Sequence, residues 1–284
     1  MAGQILTPLE SLLSSVWRDG HPKSTVTLTY AQSLDGSLAM ERGKPTAISS
    51  PASFELTHRL RAMHDGILVG LPTVMSDDPS LTVRHCPGQS PTVIVLDPGL
   101  DTPLGCKFLR AWCGSDGVRA LPPLLPRQAP IFLHGDGGGD EGFGARREAL
   151  AALGVQLLFL PKLSWAQPGP QEGSTRSTIP PYHLDLHRAM ELLASQPFCV
   201  RSVLVEGGAG VHHSFLEQHR CGARTPFPLV TAIVVTVAPM YMFGGLRVGP
   251  SCSSASPPPP PPFRMQFLCS ERVGSDVVVL ATPE

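Results

Sequence analysis

The segment Ser202–Val205 and the residues directly after it constrain the fold more than any other part of the chain. A short run of branched apolar residues leads into Glu206, and the small residues 207–210 follow at once. Beyond them, apolar side chains recur at helical spacing at Val211 and Phe215. This pattern predicts a buried strand, a tight turn and the beginning of a helix.

The predicted turn has the composition of a phosphate-binding loop. Glycine lets backbone N–H groups face a ligand without an intervening Cβ atom, and the helix dipole adds positive potential at the same place. A strand-to-helix turn without any ligand fits these residues equally well, because short glycine motifs are common. The turn alone therefore leaves both interpretations open.

Net charge, hydropathy and cysteine spacing narrow the expected class of protein. The formal net charge of −1 gives no electrostatic reason to bind nucleic acid or a membrane surface. The most apolar run, residues 230–238, ends at Pro239 and is too short to cross a bilayer. The seven cysteines form no CxxC pair, and the N-terminus lacks the pattern of a signal peptide. We therefore expect reduced thiols and a cytoplasmic protein.

Strand and helix patterns alternate along most of the chain. Strands are predicted at 26–31, 66–70, 92–97, 131–133, 155–160, 202–205 and 230–238, and helices at 51–63, 146–153, 186–195 and after residue 210. Such alternation indicates an α/β fold with a mostly parallel central sheet and helices on both faces. Residues 265–269 and 276–280 predict a closing C-terminal antiparallel hairpin.

Many of the 31 prolines lie in segments that interrupt this alternation. Three such segments are predicted as flexible insertions: 111–130, 163–180 and 249–262. The last one ends in six consecutive prolines, which favour a polyproline II conformation. That run is interpreted either as a tolerated loop or as a ligand for an SH3-type domain.

Domain organisation follows from the remaining pattern. Thr7 and Glu10 have the spacing of a capping box, and an apolar helical face follows them. Residues 1–23 are therefore predicted as an N-terminal helical extension, and residues 24–284 as a single domain that carries the three insertions.

A few charged side chains are candidates for functional roles. Asp35 lies in the turn that follows the first predicted strand, where a turn-forming role competes with a chemical one. Asp77 and Asp78 precede a proline, and because adjacent carboxylates rarely face one point we expect hydrogen-bond acceptors and no metal site. Arg84 has a guanidinium that can hold a phosphate through two parallel hydrogen bonds, with a solvated arginine as the alternative.

Four segments, taken together and in order, are more specific than any one of them. They are residues 26–36 (VTLTYAQSLDG), 64–70 (HDGILVG), 73–81 (TVMSDDPSL) and 205–209 (VEGGA). They closely resemble the riboflavin-biosynthesis reductases, which comprise stand-alone fungal and archaeal enzymes and the C-terminal half of the bacterial bifunctional deaminase-reductase. The resemblance covers about residues 24–282 apart from the insertions, and it implies a dihydrofolate-reductase-like fold, a homodimer and NADPH as hydride donor.

The resemblance also implies a reaction and a set of contacts. The ribose of 2,5-diamino-6-(ribosylamino)pyrimidin-4-one 5′-phosphate is reduced at C1′ to a ribityl chain. Cofactor contacts are implied at Thr73, Asp77, Leu184, Gly207, Gly208, Ala209 and Gly210, and substrate contacts at Leu81, Arg84 and Glu206. Asp35 and Glu206 are the side-chain candidates for the proton donor, with ordered water as another.

The chain departs from the family pattern in places. Gly210 stands where many relatives have asparagine, and Pro98 stands where a small hydroxyl residue often follows the strand. The sequence also lacks the His-x-Glu and Pro-Cys-x-x-Cys motifs of a zinc deaminase, which favours the aminated pyrimidine as substrate. Two alternatives stay open: another NADPH reductase of this fold, acting on a deaminated pyrimidine or a pterin, and a catalytically degenerate binding protein.

Overall fold

The computed structural model describes residues 7–20, 24–41, 44, 46–114, 128–163, 184–221, 228–248 and 263–284. The helices are α1 Pro8–Gly20, α2 Pro51–Met63, α3 Leu71–Asp77, α4 Lys107–Cys113, α5 Phe143–Ala152, α6 Leu186–Ala194 and α7 Ala209–Cys221. The strands are β1 Thr25–Ser33, β2 Gly66–Gly70, β3 Thr92–Leu96, β4 Ile131–His134, β5 Gln156–Phe159, β6 Ser202–Val205, β7 Ala232–Ala238, β8 Met265–Val273 and β9 Asp276–Pro283.

The strands form one nine-stranded sheet in the order β5-β4-β3-β2-β6-β1-β7-β9-β8. Every neighbouring pair from β5 to β7 is parallel, whereas β9 pairs antiparallel with both β7 and β8. Parallel strands need crossover connections, and the helices between them supply these. The predicted α/β class, the mostly parallel sheet and the C-terminal hairpin are confirmed.

The central strands are buried on both faces because helices cover each side of the sheet. On one face, α6 and α7 pack Met190, Leu193 and Phe215 against the sheet. On the other face, α4 and α5 cover β2–β4 with an apolar cluster that includes Phe108 and Leu150. This double burial explains why β2, β3 and β4 read as uninterrupted apolar runs.

The N-terminal helix α1 is docked on the sheet through apolar and polar contacts. Its capping box is formed, because the Thr7 amide donates to Glu10 Oε2 at 2.8 Å and the Glu10 amide donates to Thr7 Oγ1 at 3.3 Å. Leu9 and Leu13 are fully buried in a cluster with residues of α2, β7 and β9. Among the described residues, no helix combines the length and the apolar character that crossing a bilayer requires.

Two seven-residue helices, α3 and α4, were not predicted from the sequence. Helix α3 starts directly after β2, with Pro72 in its first turn, and ends at Asp78 in a left-handed conformation with φ of 40°. The side chain of Asp78 then caps α4 by accepting from the Lys107 amide at 2.7 Å, as expected of an acceptor. Helix α4 extends into the segment 111–130, so the loop prediction is wrong for its first three residues. The insertions predicted at 163–180 and 249–262 lie outside the described residues, except for residue 163.

Candidate active site

A cleft of about 710 Å³ opens at the carboxyl ends of the central strands. There β6 lies between β1 and β2, although it is formed much later in the chain. In open α/β sheets such a change in the direction of strand order leaves a crevice between the loops. The cleft is lined from β1, α2, α3 and residues 206–211, with Thr236 and Leu246 on the β7 side. The segment after β1 contributes Leu38, Ala39, Glu41, Lys44, Thr46, Ile48 and Ser49.

The glycine-rich turn has the predicted strand–turn–helix structure. The Glu206 amide donates to the Leu68 carbonyl at 2.9 Å, so the pairing of β6 with β2 continues to the start of the turn. A Cβ atom on Gly207 would lie 2.5 Å from Val211 Cβ, so this position has no room for a side chain. A Cβ atom on Gly208 would meet only Thr73 Oγ1, at 3.4 Å, so Gly208 faces the cleft.

The opposite side of the turn is held by helix α3. The Gly208 amide donates to Thr73 Oγ1 at 3.1 Å, which joins two segments 135 residues apart in the chain. Asp77, at the end of the same helix, is exposed and also lines the cleft. Thr73 and Asp77 therefore lie on the wall that faces the N-terminus of α7.

The charged centre of the cleft is an ion pair between Glu206 and Arg61. The Arg61 guanidinium donates from Nε to Oε1 at 2.7 Å and from Nη2 to Oε2 at 2.6 Å, while Nη1 donates to the Thr82 carbonyl at 3.1 Å. The Arg61 side chain is only 10% exposed and the Glu206 side chain only 13%. Burial by itself lowers the pKa of Arg61, but the charge and hydrogen bonds of Glu206 outweigh it and the pKa is raised. The pair is a fixed, largely desolvated group that can orient a polar ring.

Most of the predicted contact residues meet in this one cleft. Those that line it are Thr73, Asp77, Glu206, Gly207, Gly208, Ala209 and Gly210. They come from two segments that the sheet brings together at the carboxyl ends of β2 and β6.

Three predicted contact residues are not part of the cleft lining. Leu81 is 2% exposed and packs in the apolar cluster of β2 and β3, with φ of 53°. Arg84 is exposed, and its guanidinium donates to Thr82 Oγ1 at 3.4 Å. Leu184 is 1% exposed within the core beside α6. Leu81 directly precedes Thr82, whose carbonyl accepts from Arg61, and Arg84 follows two residues later.

Asp35 also lies outside the cleft lining and is engaged in the loops. Its carboxylate accepts from the amides of Met242 and Phe243 at 3.0 and 3.1 Å and from the hydroxyl of Ser33 at 2.5 Å. The Ser33 hydrogen bond, followed by that of the Met242 amide, lowers the pKa of Asp35. Asp35 therefore fastens the loop after β7 to the loop after β1, and an ionised acceptor of this kind is a poor source of a proton.

Two cleft residues were missed by reasoning from the sequence. Arg61 lies on the predicted helix 51–63, where a solvated arginine is the ordinary expectation. Tyr30 lies at the carboxyl end of β1, and burial raises the pKa of its hydroxyl. No spacing signal marks either residue, because each enters the site through pairing of elements that are distant in the chain.

The sequence and the fold resemble those of known proteins. Residues 24–123 match the sequence model described as the RibD C-terminal domain. The chain is 31% identical over 236 residues to the 2,5-diamino-6-ribosylamino-4(3H)-pyrimidinone 5′-phosphate reductase of Eremothecium gossypii, covering 80% of this chain and 78% of that protein. It is also 31% identical to the riboflavin biosynthesis protein RibD of Aquifex aeolicus, covering 79% of this chain but only 49% of that protein.

A solved structure of a related protein has the same fold as this chain. The riboflavin biosynthesis reductase of Saccharomyces cerevisiae superposes with a TM-score of 0.60 and 25% identity, covering 92% of this chain and 90% of that one. The predicted dihydrofolate-reductase-like fold is thereby confirmed. The chain, with its glycine turn and ion pair in one cleft, belongs to the riboflavin-biosynthesis reductase family.

Proposed function

We propose that this protein is an NADPH-dependent reductase of riboflavin biosynthesis. Its substrate is 2,5-diamino-6-(ribosylamino)pyrimidin-4-one 5′-phosphate, and its product carries a ribityl chain in place of the ribose. The observation that carries the proposal is the meeting of the glycine turn and the Glu206–Arg61 pair in one cleft. Family membership supplies the reaction and the use of NADPH.

The turn fits the diphosphate of a dinucleotide. Helix α7 begins at Ala209, and the first amides of a helix have no partners within the helix. Gly208 leaves its side open to the cleft, so an anion can approach the backbone closely. Ala209 and Gly210 are the residues whose amides would hold the diphosphate, and Thr73 and Asp77 would contact the neighbouring sugar and nicotinamide side.

The ion pair fits the pyrimidine of the substrate. Each Glu206 oxygen accepts one hydrogen bond from Arg61 and retains a lone pair that can accept from the amino groups of the ring. Arg61 holds the carboxylate in one orientation, so recognition costs little reorganisation. Arg84, which is close enough to Arg61 for the two charges to interact, is the proposed contact of the 5′-phosphate.

The residues of this chain act mainly by positioning. Reduced nicotinamide supplies a hydride to C1′ of the opened sugar, and a proton must reach the adjacent nitrogen. Glu206 would hold the pyrimidine ring and the turn would hold the cofactor, so that these residues would align the hydride donor with its acceptor. Leu38, Ala39, Ile48 and Leu246 add apolar surface to the lining of the cleft.

Turnover assays with alternative substrates test the proposal. NADPH oxidation is followed with the diaminated ribosylaminopyrimidine phosphate, with its deaminated counterpart and with dihydrofolate. We expect rapid oxidation with the first substrate only. Preference for either of the others would assign a different reductase, and NADPH binding without any turnover would assign a degenerate binding protein.

We also propose a homodimer and a cytoplasmic location. The homodimer is an inference from the family, and sedimentation of the purified protein tests it directly. Six described cysteines, among them the buried Cys106, are free thiols, which supports a reducing compartment. A monomer in sedimentation would refute the first point, and secretion of the tagged protein would refute the second.

A further inference from the structure

His212 occupies an unusual position beneath the glycine turn. Its side chain is fully buried, in the first turn of α7. Nδ1 lies 3.2 Å from the carbonyl oxygen of Gly208, and Nε2 lies 3.1 Å from the carbonyl oxygen of Thr29 on β1. The imidazole ring therefore bridges the turn and the neighbouring strand through two acceptors.

Each of the two carbonyls accepts a hydrogen bond from the ring only when the ring nitrogen that faces it carries a proton. A neutral imidazole carries only one N–H, so one of the two carbonyls then faces a lone pair. Only the imidazolium form donates to both at once. Burial lowers the pKa of His212, whereas the carbonyls of Gly208, Thr29, Gly207 and Val205, all close to the ring, act in the opposite direction.

The contact with Gly208 also determines which way the turn presents its amides. The peptide that joins Gly208 to Ala209 is planar and trans, so its C=O and N–H groups point in opposite directions. The Gly208 carbonyl is held inward by the amides of Val211 and His212, at 3.0 and 3.3 Å, and by the His212 ring. The Ala209 N–H group consequently points out of the helix and into the cleft.

We propose that His212 is a positioning residue of the dinucleotide site, and that it takes up a proton from solvent when a diphosphate binds in the turn. The proposal rests on the function proposed above. In the free protein the ring is neutral and donates to only one of the two carbonyls. The bound diphosphate adds negative charge at the helix N-terminus, and the imidazolium then balances that charge while donating to both carbonyls.

The described ionisable groups around His212 were compared with it as possible proton acceptors, and His212 is the one to which we assign the proton. On β1, the Tyr30 ring meets the His212 ring edge to face at 5.1 Å. At the end of β6, Glu206 is neutralised by Arg61. The other described ionisable groups lie farther along α7 or on α6, a helix that packs against α7. They are His213, Glu217, His219 and Arg220 on α7 and His187, Arg188 and Glu191 on α6.

Proton uptake is measured by isothermal titration in buffers that differ in ionisation enthalpy. The two ligands are NADPH and ADP-ribose. ADP-ribose has the diphosphate but lacks the phosphomonoester, whose own titration near about pH 6 would complicate the result. We expect net proton uptake with both ligands at neutral pH, and a Kd that rises by up to about tenfold per pH unit above it. His212→Gln, which offers only one suitable donor group, should bind both ligands more weakly and with no proton uptake.

His213→Gln is the matched control, because the neighbouring ring lies on the same helix and the charges that act on it are those of Glu217 and Arg220. It should keep the wild-type affinity and proton uptake. Binding of NADPH by the wild type without proton uptake, or uptake that persists in His212→Gln, would overturn the role of His212 and leave the proposed function standing. Failure of the wild type to bind either ligand would overturn both. Circular dichroism verifies that each variant is folded, and His212→Asn replaces His212→Gln if that variant is not.

Discussion

The Gly208 amide donates a hydrogen bond to the Thr73 hydroxyl, with 3.1 Å between the two atoms. This bond joins the turn after β6 to the helix after β2. It therefore links two walls of the cleft next to the place where the cofactor diphosphate is proposed to bind. The two residues belong to different halves of the proposed cofactor site. Their contact makes the geometry of the turn depend on α3.

Thr73→Val removes this contact with little change in side-chain volume. We expect weaker NADPH binding by about 1–2 kcal/mol, because the Gly208 amide loses its acceptor and the turn is less well oriented. Thr73→Ser keeps the hydroxyl and should retain most of the affinity. The measurement is the Kd for NADPH by fluorescence titration, and equal affinity for the valine and serine variants would show that the hydroxyl has no role.

Alanine substitutions in the turn should affect stability unequally. Gly207→Ala places a Cβ atom 2.5 Å from Val211 Cβ, so we expect a loss of about 1–3 kcal/mol in the free energy of unfolding. Gly208→Ala meets only the Thr73 hydroxyl, at 3.4 Å, and should change stability by less than about 0.5 kcal/mol. Urea denaturation of both variants gives the comparison. Equal losses would mean that the turn packs differently from the structure.

The Glu206–Arg61 pair predicts strong coupling in a double-mutant cycle. Glu206→Leu should cost about 3–5 kcal/mol in unfolding free energy, because Arg61 is left buried without its counter-charge. Adding Arg61→Met should recover much of that loss, since both charges are then gone. Neither variant should reduce the pyrimidine substrate. Additive stability losses, or turnover in the double variant, would contradict the role given to the pair.

The buried position of His64 predicts that the folded protein loses stability in acid. Its Nδ1 lies 2.6 Å from the Leu60 carbonyl and its ring meets that of Trp17 at 4.6 Å. Burial lowers the pKa of His64 to about 4, from an ordinary value of 6.5. The unfolded chain therefore binds the proton first. The contribution of His64 is complete above about pH 6.5, and it declines by up to about 1.4 kcal/mol per unit as the pH falls toward 4.

His64→Gln should flatten this decline, because glutamine does not titrate. His85→Gln, at an exposed position, serves as the control and should retain the part of the decline that comes from His64. Unfolding free energies across this pH range, read from tryptophan fluorescence, provide the test. A decline as steep in His64→Gln as in the wild type would place the acid sensitivity elsewhere.

The sheet and the glycine turn were predictable because each depends on local pattern. Buried strands such as Gly66–Gly70 are continuous apolar runs, and the turn after Val205 carries its own glycines. Helices α3 and α4 were missed because seven residues are too few to show a helical repeat. Their stability comes from caps such as the αL residue Asp78 and from packing.

The site was predictable only in part, because sequence reasoning assigns roles to residues one at a time. The partner of Glu206 lies 145 positions away in Arg61, and no pattern within either segment reveals the pairing. Asp35 was a candidate for chemistry because it ends a strand, yet its carboxylate is occupied by the amides of Met242 and Phe243. Such hydrogen bonds depend on where distant loops meet, which only the folded chain determines.

The most direct test of the proposed site is titration of NADPH into the wild type, Gly208→Asp and Gly208→Ala. Aspartate places bulk and negative charge against the diphosphate, whereas alanine adds a single methyl group in open space beside Thr73. The structure predicts that the wild type binds NADPH, that the alanine variant binds it less tightly, and that the aspartate variant does not bind it. Unchanged NADPH affinity in a folded Gly208→Asp variant would show that the diphosphate does not rest on this turn.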